Sequence, residues 1–486
     1  MNPTPSHEAS RTLGIIGGLG ALAGADLFSK LLKSQPVLAD QGRYHLLFEQ
    51  HPFKDLELPL DAQARLTSRK LYVYQACQRF TERGADAVLV PCFASQSVLE
   101  ELQAELQTPI LDLFDAVARQ VASRVAPGAR LGVLASDYVR ACGSFERHFA
   151  GQYPLVYPSA SSQARLMEIV YGPQGIKRGY LDGRVMEQLQ QICGELQAQG
   201  AQLMLPGMTE LSLLASDLQR QGVALLDANQ VYADFAISAA LGPRPAPFKL
   251  GIVGGVGPAA TVDFMAKLVS QTPAGRDQEH IKLVVEQNPQ IPDRTANLLH
   301  GQSDPTVALY ATCKRLEREG AQAIAIPCNT AHAYVERIQE HLAVPIVHML
   351  EETLKSIREA YGDQLPIGLL ATSGTVHSGV YHQVAERLGL TLKTPDETAQ
   401  AQLMRAIYAE HGVKAGFTQG RCVDDLRAAA VQLVREGARV LILGCTELPL
   451  IQRAGDQLVE GVKVHFVDPT QVLAKRCVSL SLARQS

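Results

Sequence analysis

This 486-residue chain has no CxxC pair, no apolar run approaching the roughly 20 residues that span a bilayer, and no excess of basic charge. Each absence removes a class of protein. Nine cysteines scattered without paired spacing read as reduced thiols rather than as a disulfide framework or a zinc site. The polar N-terminus from Met1 to Glu8 lacks the charged and apolar regions of a signal peptide. With no membrane-spanning run, the expectation is a cytoplasmic enzyme or binding protein. A formal net charge of -4 and a pI near 6.4 offer no basic face for a phosphate backbone, which argues against a nucleic-acid partner. What is present is a chain 46% hydrophobic and 19% charged, enough to bury a large core divided among more than one domain.

An internal repeat organises that length. Leu13-Gly14-Ile15-Ile16-Gly17-Gly18-Leu19-Gly20 recurs as Leu250-Gly251-Ile252-Val253-Gly254-Gly255-Val256-Gly257, an offset of 237 residues. The offset is 236 for Pro91-Cys92 against Pro327-Cys328, and 237 for Lys177 against Lys414 and for Gly207-Met208-Thr209-Glu210 against Gly444-Cys445-Thr446-Glu447. Near-constant offsets mean a tandem duplication: residues 1–240 and 250–486, joined by a proline-rich linker at 241–249.

Within each half, short runs of Val, Ile and Leu alternate with amphipathic segments, the pattern of βαβ units and parallel sheets buried on both faces. In the second half the expected strands are Leu250 to Val253, Ile281 to Val285, Ala323 to Ile326, Ile367 to Leu370 and Val440 to Leu443, with a helix from Val307 to Glu319 stopped by Gly320. A second glycine-marked strand, Pro366 to Thr372, begins halfway through this half, so each half is expected to hold two similar α/β lobes facing each other. Ligands in such folds sit at the carboxyl ends of strands, where both Cys328 and Cys445 fall.

Taken singly, either cysteine reads as a small buried packing residue. A matched pair at equivalent strand ends points instead to proton transfer, because inverting a carbon without a cofactor needs one base on one face and one acid on the other. Cys328, opening an expected helix from Asn329 through Glu336, and Cys445 in a like setting would lie at helix N-termini. That placement lowers a thiol pKa from about 8.5 towards neutrality. Asn329, Thr330 and Thr446 could supply donors to a carboxylate. Glu447 could orient or deprotonate Cys445, or could be a solvated carboxylate at a helix start.

The runs Gly251 to Pro258, Asn288 to Thr295, Pro327 to His332 and Gly444 to Glu447, four motifs in order, together resemble the cofactor-independent aspartate/glutamate racemases. The resemblance implies two flavodoxin-like lobes related by a pseudo-twofold axis, with Cys328 and Cys445 as opposed base and acid and neither cofactor nor metal. It also implies that Arg294 and Lys414 hold the side-chain carboxylate of a small acidic amino acid, where a guanidinium fork suits bidentate binding. Thr372, Ser373 and Thr375 form another strand-end polar turn that could touch the ligand. A glutamate after Cys445-Thr446 resembles the aspartate racemase branch, whereas glutamate racemases carry histidine there.

The first half departs from this pattern. Cys92 stands opposite Cys328, but Phe93, Ala94 and Gln96 replace Asn329, Thr330 and His332, and Met208, a thioether with no dissociable proton, replaces Cys445. Lys177 matches Lys414, while Glu57 takes the place of Arg294 and no arginine lies between Arg43 and Arg65. The expectation is a non-racemising repeat standing in covalently for the second protomer of the family's homodimers, a pseudo-dimer within one chain that could be a monomer, with the first half either buttressing the active half or binding a different ligand. Four other readings compete. Gly255-x-Gly257-x-x-Ala260 imitates a dinucleotide fingerprint, although Pro258 interrupts it and no acidic residue or Walker lysine follows at the right place. Cys328 and His332 are spaced for a metal but lack matched ligands. A related isomerase or decarboxylase could use the same cysteines, and an amino-acid-binding regulatory protein would need no opposed thiols.

Overall fold

The computed structural model describes residues 10–51, 59–60, 66–241 and 247–485. Glu57 and residues 242–246 of the expected linker lie outside the described residues. The chain divides into two compact units between residues 246 and 247.

In the N-terminal unit, β1 (Arg11–Ile16), β2 (Tyr44–Glu49), β3 (Ala87–Leu89) and β4 (Ile110–Leu111) form a parallel sheet in the order β2-β1-β3-β4. A second parallel sheet contains β5 (Leu131–Ala135), β6 (Leu155–Val156) and β7 (Leu203–Gly207) in the order β6-β5-β7. The C-terminal unit repeats the plan. Its first sheet holds β8 (Lys249–Gly254), β9 (Lys282–Gln287), β10 (Ala323–Ala325) and β11 (Ile346–Val347) in the order β11-β10-β8-β9. Its second holds β12 (Ile367–Ala371), β13 (Leu392–Lys393), β14 (Val440–Gly444), β15 (Gly455–Val459) and β16 (Val462–Val467) in the order β13-β12-β14-β16-β15. Every pairing is parallel except that of β15 with β16. In each sheet the first strand is internal, flanked by the second and the third, so the order reverses beside it, the flavodoxin-like switch point where ligands bind. That is where β10 leads to Cys328, β12 to Thr372 and β14 to Cys445.

Alternation along β14 shows why these runs are almost wholly apolar. Val440 and Ile442 join one buried cluster while Leu441, Leu443 and Cys445 join another, so both faces of the strand are covered. The first of those clusters also contains Leu250 and Ile252 of β8, Ile367 and Leu369 of β12, and Leu473 and Cys477 of the C-terminal helix. Both lobes of this unit thus share one core, and each fully buried Leu or Ile contributes about 1.5–3 kcal/mol. The helix Pro469–Gln485 returns to pack on the helices Pro258–Gln271 and Met349–Tyr361, which ties the second lobe back to the first.

The sequence reading missed β11 and β13, which at two residues carry no usable period, and the β15–β16 hairpin. That hairpin turns through Glu460 (φ 48°) and Gly461 (φ 77°), the left-handed pair of a mirror-image turn that matches strand twist. The N-terminal repeat has the short helix Ala215–Arg220 and a lone parallel bridge, Met204 with Leu225, at this rim.

Candidate active site

Cys445 leaves the end of β14 and meets Glu447 at once: its Sγ donates to Glu447 Oε2 at 3.1 Å. Lys414 Nζ donates to the other carboxylate oxygen at 3.0 Å, and Thr446 Oγ1 to Oε2 at 3.3 Å. Glu447 is only 3% exposed, which removes the solvated-carboxylate reading. A Cβ on Gly257 would come within 2.5 Å of Glu447 Oε1, and Gly257 has φ 117°; the glycines that imitate a dinucleotide fingerprint let this loop close over a carboxylate. The Lys414 ammonium also lies 5.2 Å from the centroid of the Tyr408 ring.

Neither thiol opens the helix expected after it. Cys445 is followed by a 3-10 turn, Leu448–Leu450, and not by a helix. Burial first, then the Glu447 charge, pushes its thiol pKa well above the usual range, with Lys414 opposing. Cys445 is therefore a protonated thiol at neutral pH, held as a donor. Cys328 leads into a 3-10 turn, Thr330–Tyr334, then the five-residue helix Val335–Gln339, in place of the expected helix from Asn329. Its electrostatic partner is Arg294, whose guanidinium pKa is lowered by burial but raised on balance by Cys328 and Asp293. Lys414 stays charged for the same kind of reason: against its burial act Cys445, Glu447, Tyr408 and Cys328. A single ammonium thus feels both thiols.

Arg294 is 7% exposed and does not present a free fork. Its Nη1 donates to the carbonyls of Ile291 at 3.2 Å and Pro292 at 2.9 Å, while Nε is buried without a partner. Asn329 is similarly aimed: Tyr381 donates its hydroxyl to Oδ1 at 2.6 Å, which fixes the amide and leaves Nδ2 a buried donor with nothing to bind. Two orphaned donors in one site call for an acceptor, because each costs about 1–3 kcal/mol unmade. Thr330, Thr372 and Thr375 join in a hydroxyl triangle of 2.8 to 3.2 Å that links the lobes, extended to Thr295 at 3.4 Å. Ser373 is not part of it; its Oγ accepts from Gln400 at 3.1 Å.

His332 serves the backbone. Its Nδ1 bonds the Cys328 carbonyl at 2.9 Å and its Nε2 accepts from Met349 N at 3.1 Å, so neither ring nitrogen is left for a metal. Among the described residues no group of three or more His, Cys, Asp or Glu side chains is placed to hold a metal ion, and no helix is long and apolar enough to cross a membrane. Burial, then His348, pushes the His332 pKa down to about 3. Between pH 6.5 and 3 the unfolded chain binds more protons at this residue, so it makes stability fall as pH falls. Gln96 does the equivalent work in the first repeat, donating to Val90 O at 3.0 Å and accepting from Leu113 N at 3.3 Å. His332→Gln is therefore expected to fold and to flatten the decline of urea-unfolding stability between pH 6 and 4. An unchanged slope would count against the bracing role.

The first repeat keeps more of the site than its sequence promised. Lys177 Nζ lies 2.6 Å from Glu210 and 5.2 Å from the Tyr171 centroid, the same triad as Lys414, Glu447 and Tyr408. The apparent lack of a guanidinium is overturned by Arg69, from the first turn of the helix Thr67–Glu82, whose Nη1 reaches Cys92 Sγ at 3.2 Å. Sequence comparison missed it because the arginine comes from another element and lies out of register with Arg294. Tyr408 and Tyr171 were also missed, although each stands six residues before its lysine in both repeats. Tyr381 carried no sequence signal, and Thr295 closes the Asn288 to Thr295 motif without having been given a role there.

The fold and site define a two-lobed α/β unit, present twice, with one thiol at a strand end in each lobe of the second copy. The family described as Asp/Glu/Hydantoin racemase matches twice, over residues 16–236 and 253–477. The broad specificity amino-acid racemase RacX of Bacillus subtilis is 30% identical over 245 residues, covering 49% of this chain and 100% of that protein. The glutamate racemase of Koribacter versatilis is 31% identical over 187 residues, 37% of this chain and 61% of that one. Among solved structures, the aspartate racemase of Picrophilus torridus is 27% identical with a TM-score of 0.42, covering 48% of this chain and 94% of that chain. The chain belongs to the Asp/Glu/hydantoin racemase family and carries its domain as a tandem duplication.

Proposed function

We propose that the C-terminal repeat is an amino-acid racemase that interconverts L- and D-aspartate, with glutamate the next candidate, by proton transfer between Cys328 and Cys445 and without a cofactor. The observation that carries this reading is the placement of the two thiols at strand ends of the two lobes, with Cys445 donating to the buried Glu447 carboxylate and Cys328 lying beside the Arg294 guanidinium. In one direction the Cys328 thiolate takes the α-proton, breaking C–H and forming S–H. Charge moves onto the substrate carboxylate, where the free donor of Asn329 stabilises it. The Cys445 thiol then gives its proton to the opposite face, and the roles are exchanged for the return direction. Arg294 Nε, a buried donor without a partner, is directed to the side-chain carboxylate. The first repeat, with Met208 in place of the second thiol, runs no inversion and takes the part of a covalently attached second protomer.

A second reading is favoured by the relative named for broad specificity, which this chain covers completely: the site would accept several side chains. Incubation with L-aspartate, L-glutamate and neutral amino acids in heavy water, with no cofactor added, separates the two. Aspartate is expected to lose its α-proton signal and its optical rotation together. Tight binding with no exchange would replace both readings with a regulatory one.

A further inference from the structure

Tyr381 has a hydroxyl that takes no part in the proton transfer. It stands in the short helix Val380–Arg387, is fully buried, and meets Asn329 Oδ1 at 2.6 Å. A hydroxyl against an amide has two choices of polarity: it donates to the oxygen or accepts from the nitrogen. Burial, then the Asp468 charge, pushes the Tyr381 pKa up, so the oxygen keeps its proton. That proton has one acceptor in hydrogen-bond range among the described residues, Asn329 Oδ1. A buried hydroxyl proton left without an acceptor is costly, so Tyr381 donates and the amide oxygen is consumed. What remains of the Asn329 side chain is Nδ2, buried with no partner and able only to donate.

The first repeat shows that the fold does not need this hydroxyl. At an offset of 236, the spacing that relates Cys92 to Cys328, Phe93 stands for Asn329 and Phe145 for Tyr381. Both phenylalanines are buried, and their rings stack with centroids 5.8 Å apart. In the copy that has Met208 in place of the second thiol, the amide and the hydroxyl are lost together while the aromatic ring stays. The hydroxyl therefore goes with the amide and not with the packing.

We infer that Tyr381 is a positioning residue that decides which end of an amino acid meets the Cys328 turn. By occupying the Asn329 carbonyl oxygen it leaves only N–H donors there, which admit a carboxylate and turn away an ammonium. This rests on the reading of the second repeat as an amino-acid site, and its effect on binding is readable whether or not a proton is exchanged.

Calorimetric titration of the full chain with succinate, which has carboxylates and no ammonium, and with L-aspartate tests it. Tyr381→Phe keeps the ring and frees the amide to turn over, so affinity for both ligands is expected to fall about tenfold, the value of one hydrogen bond to a charged group. Asn329→Ala removes the donor outright and should weaken both ligands at least as much. The double variant should then bind no worse than Asn329→Ala alone, whereas a residue that merely fills the core would give additive losses. Additive losses, a Tyr381→Phe variant that binds both ligands as the parent does, or weakened aspartate with succinate unchanged would each overturn the assignment; the last would put the ammonium at Asn329. Should Tyr381→Phe fail to fold, Asn329→Asp decides the polarity, because it leaves Tyr381 its acceptor and exchanges the free donor for a charge. Its succinate affinity is expected to drop about 10²-fold through like-charge repulsion, and an affinity close to the parent's would overturn the assignment. A parent that binds both ligands in this Tyr381-dependent way but exchanges no α-proton would leave the assignment in place and remove the racemase reading. A parent that binds neither would overturn it.

Discussion

Replacing either Cys328 or Cys445 by serine is expected to lower racemisation by about 10³-fold, the middle of the range for losing a positioned acid or base. The hydroxyl is nearly isosteric, so the buried turns that carry residues 7% and 6% exposed should keep their packing. Its pKa is too high to share a proton with a carbon acid, however, so the loss should fall on turnover and leave substrate-dependent thermal stabilisation in place. A finer signature separates two-thiol inversion from a one-base route. Each variant keeps one thiol and can lift the α-proton from one enantiomer only. Nuclear magnetic resonance in heavy water should therefore show exchange in either L- or D-aspartate, the opposite one for the other variant, without change of optical rotation. A serine variant racemising within tenfold of the parent would sink the mechanism.

The second large effect is expected from Glu447→Gln, on stability and on pH dependence. Glu447 and Lys414 form a mostly buried pair at 3.0 Å, with side-chain exposures of 4% and 24%. Removing one partner leaves an uncompensated charge and costs about 3 kcal/mol, readable as a lower midpoint in urea unfolding. The pH effect has a definite sign. Burial raises the Cys445 pKa most, the Glu447 charge raises it further, and Lys414 lowers it. The amide removes the second contribution and leaves the third, so the thiol ionises at lower pH. For the direction in which Cys445 is the proton donor, the alkaline limb of kcat against pH should move to lower pH. An alkaline limb that stays in place would mean that Glu447 does not govern this thiol.

Both predictions depend on residues whose positions in the chain were readable and whose states were not. Cys445 and Glu447 are two residues apart at a strand end, and a glycine stop after an apolar run suffices to place them there. Whether the thiol is protonated depends on burial from every side and on Lys414, which is 31 residues earlier in the chain. Local pattern suggested helix N-termini and a lowered pKa; the structure has a 3-10 turn and a raised one. The family resemblance implied a carboxylate-binding role for Arg294, whereas the sequence held no record that backbone carbonyls take one arm while Nε is buried without a partner.

The amino-acid sequence by itself determined the duplication, the alternation of buried strands and helices, the strand ends that carry the thiols, and the loss of the second thiol at Met208. These are matters of spacing and residue type, and periodicity records them directly. Tertiary structure alone decided which donors are left unpaired, which thiol keeps its proton, that Gln96 braces its turn as His332 does, and that Arg69 reaches Cys92 from a helix outside the matching register. Those outcomes depend on groups far apart in the chain being desolvated together, and no local pattern records distance across a fold.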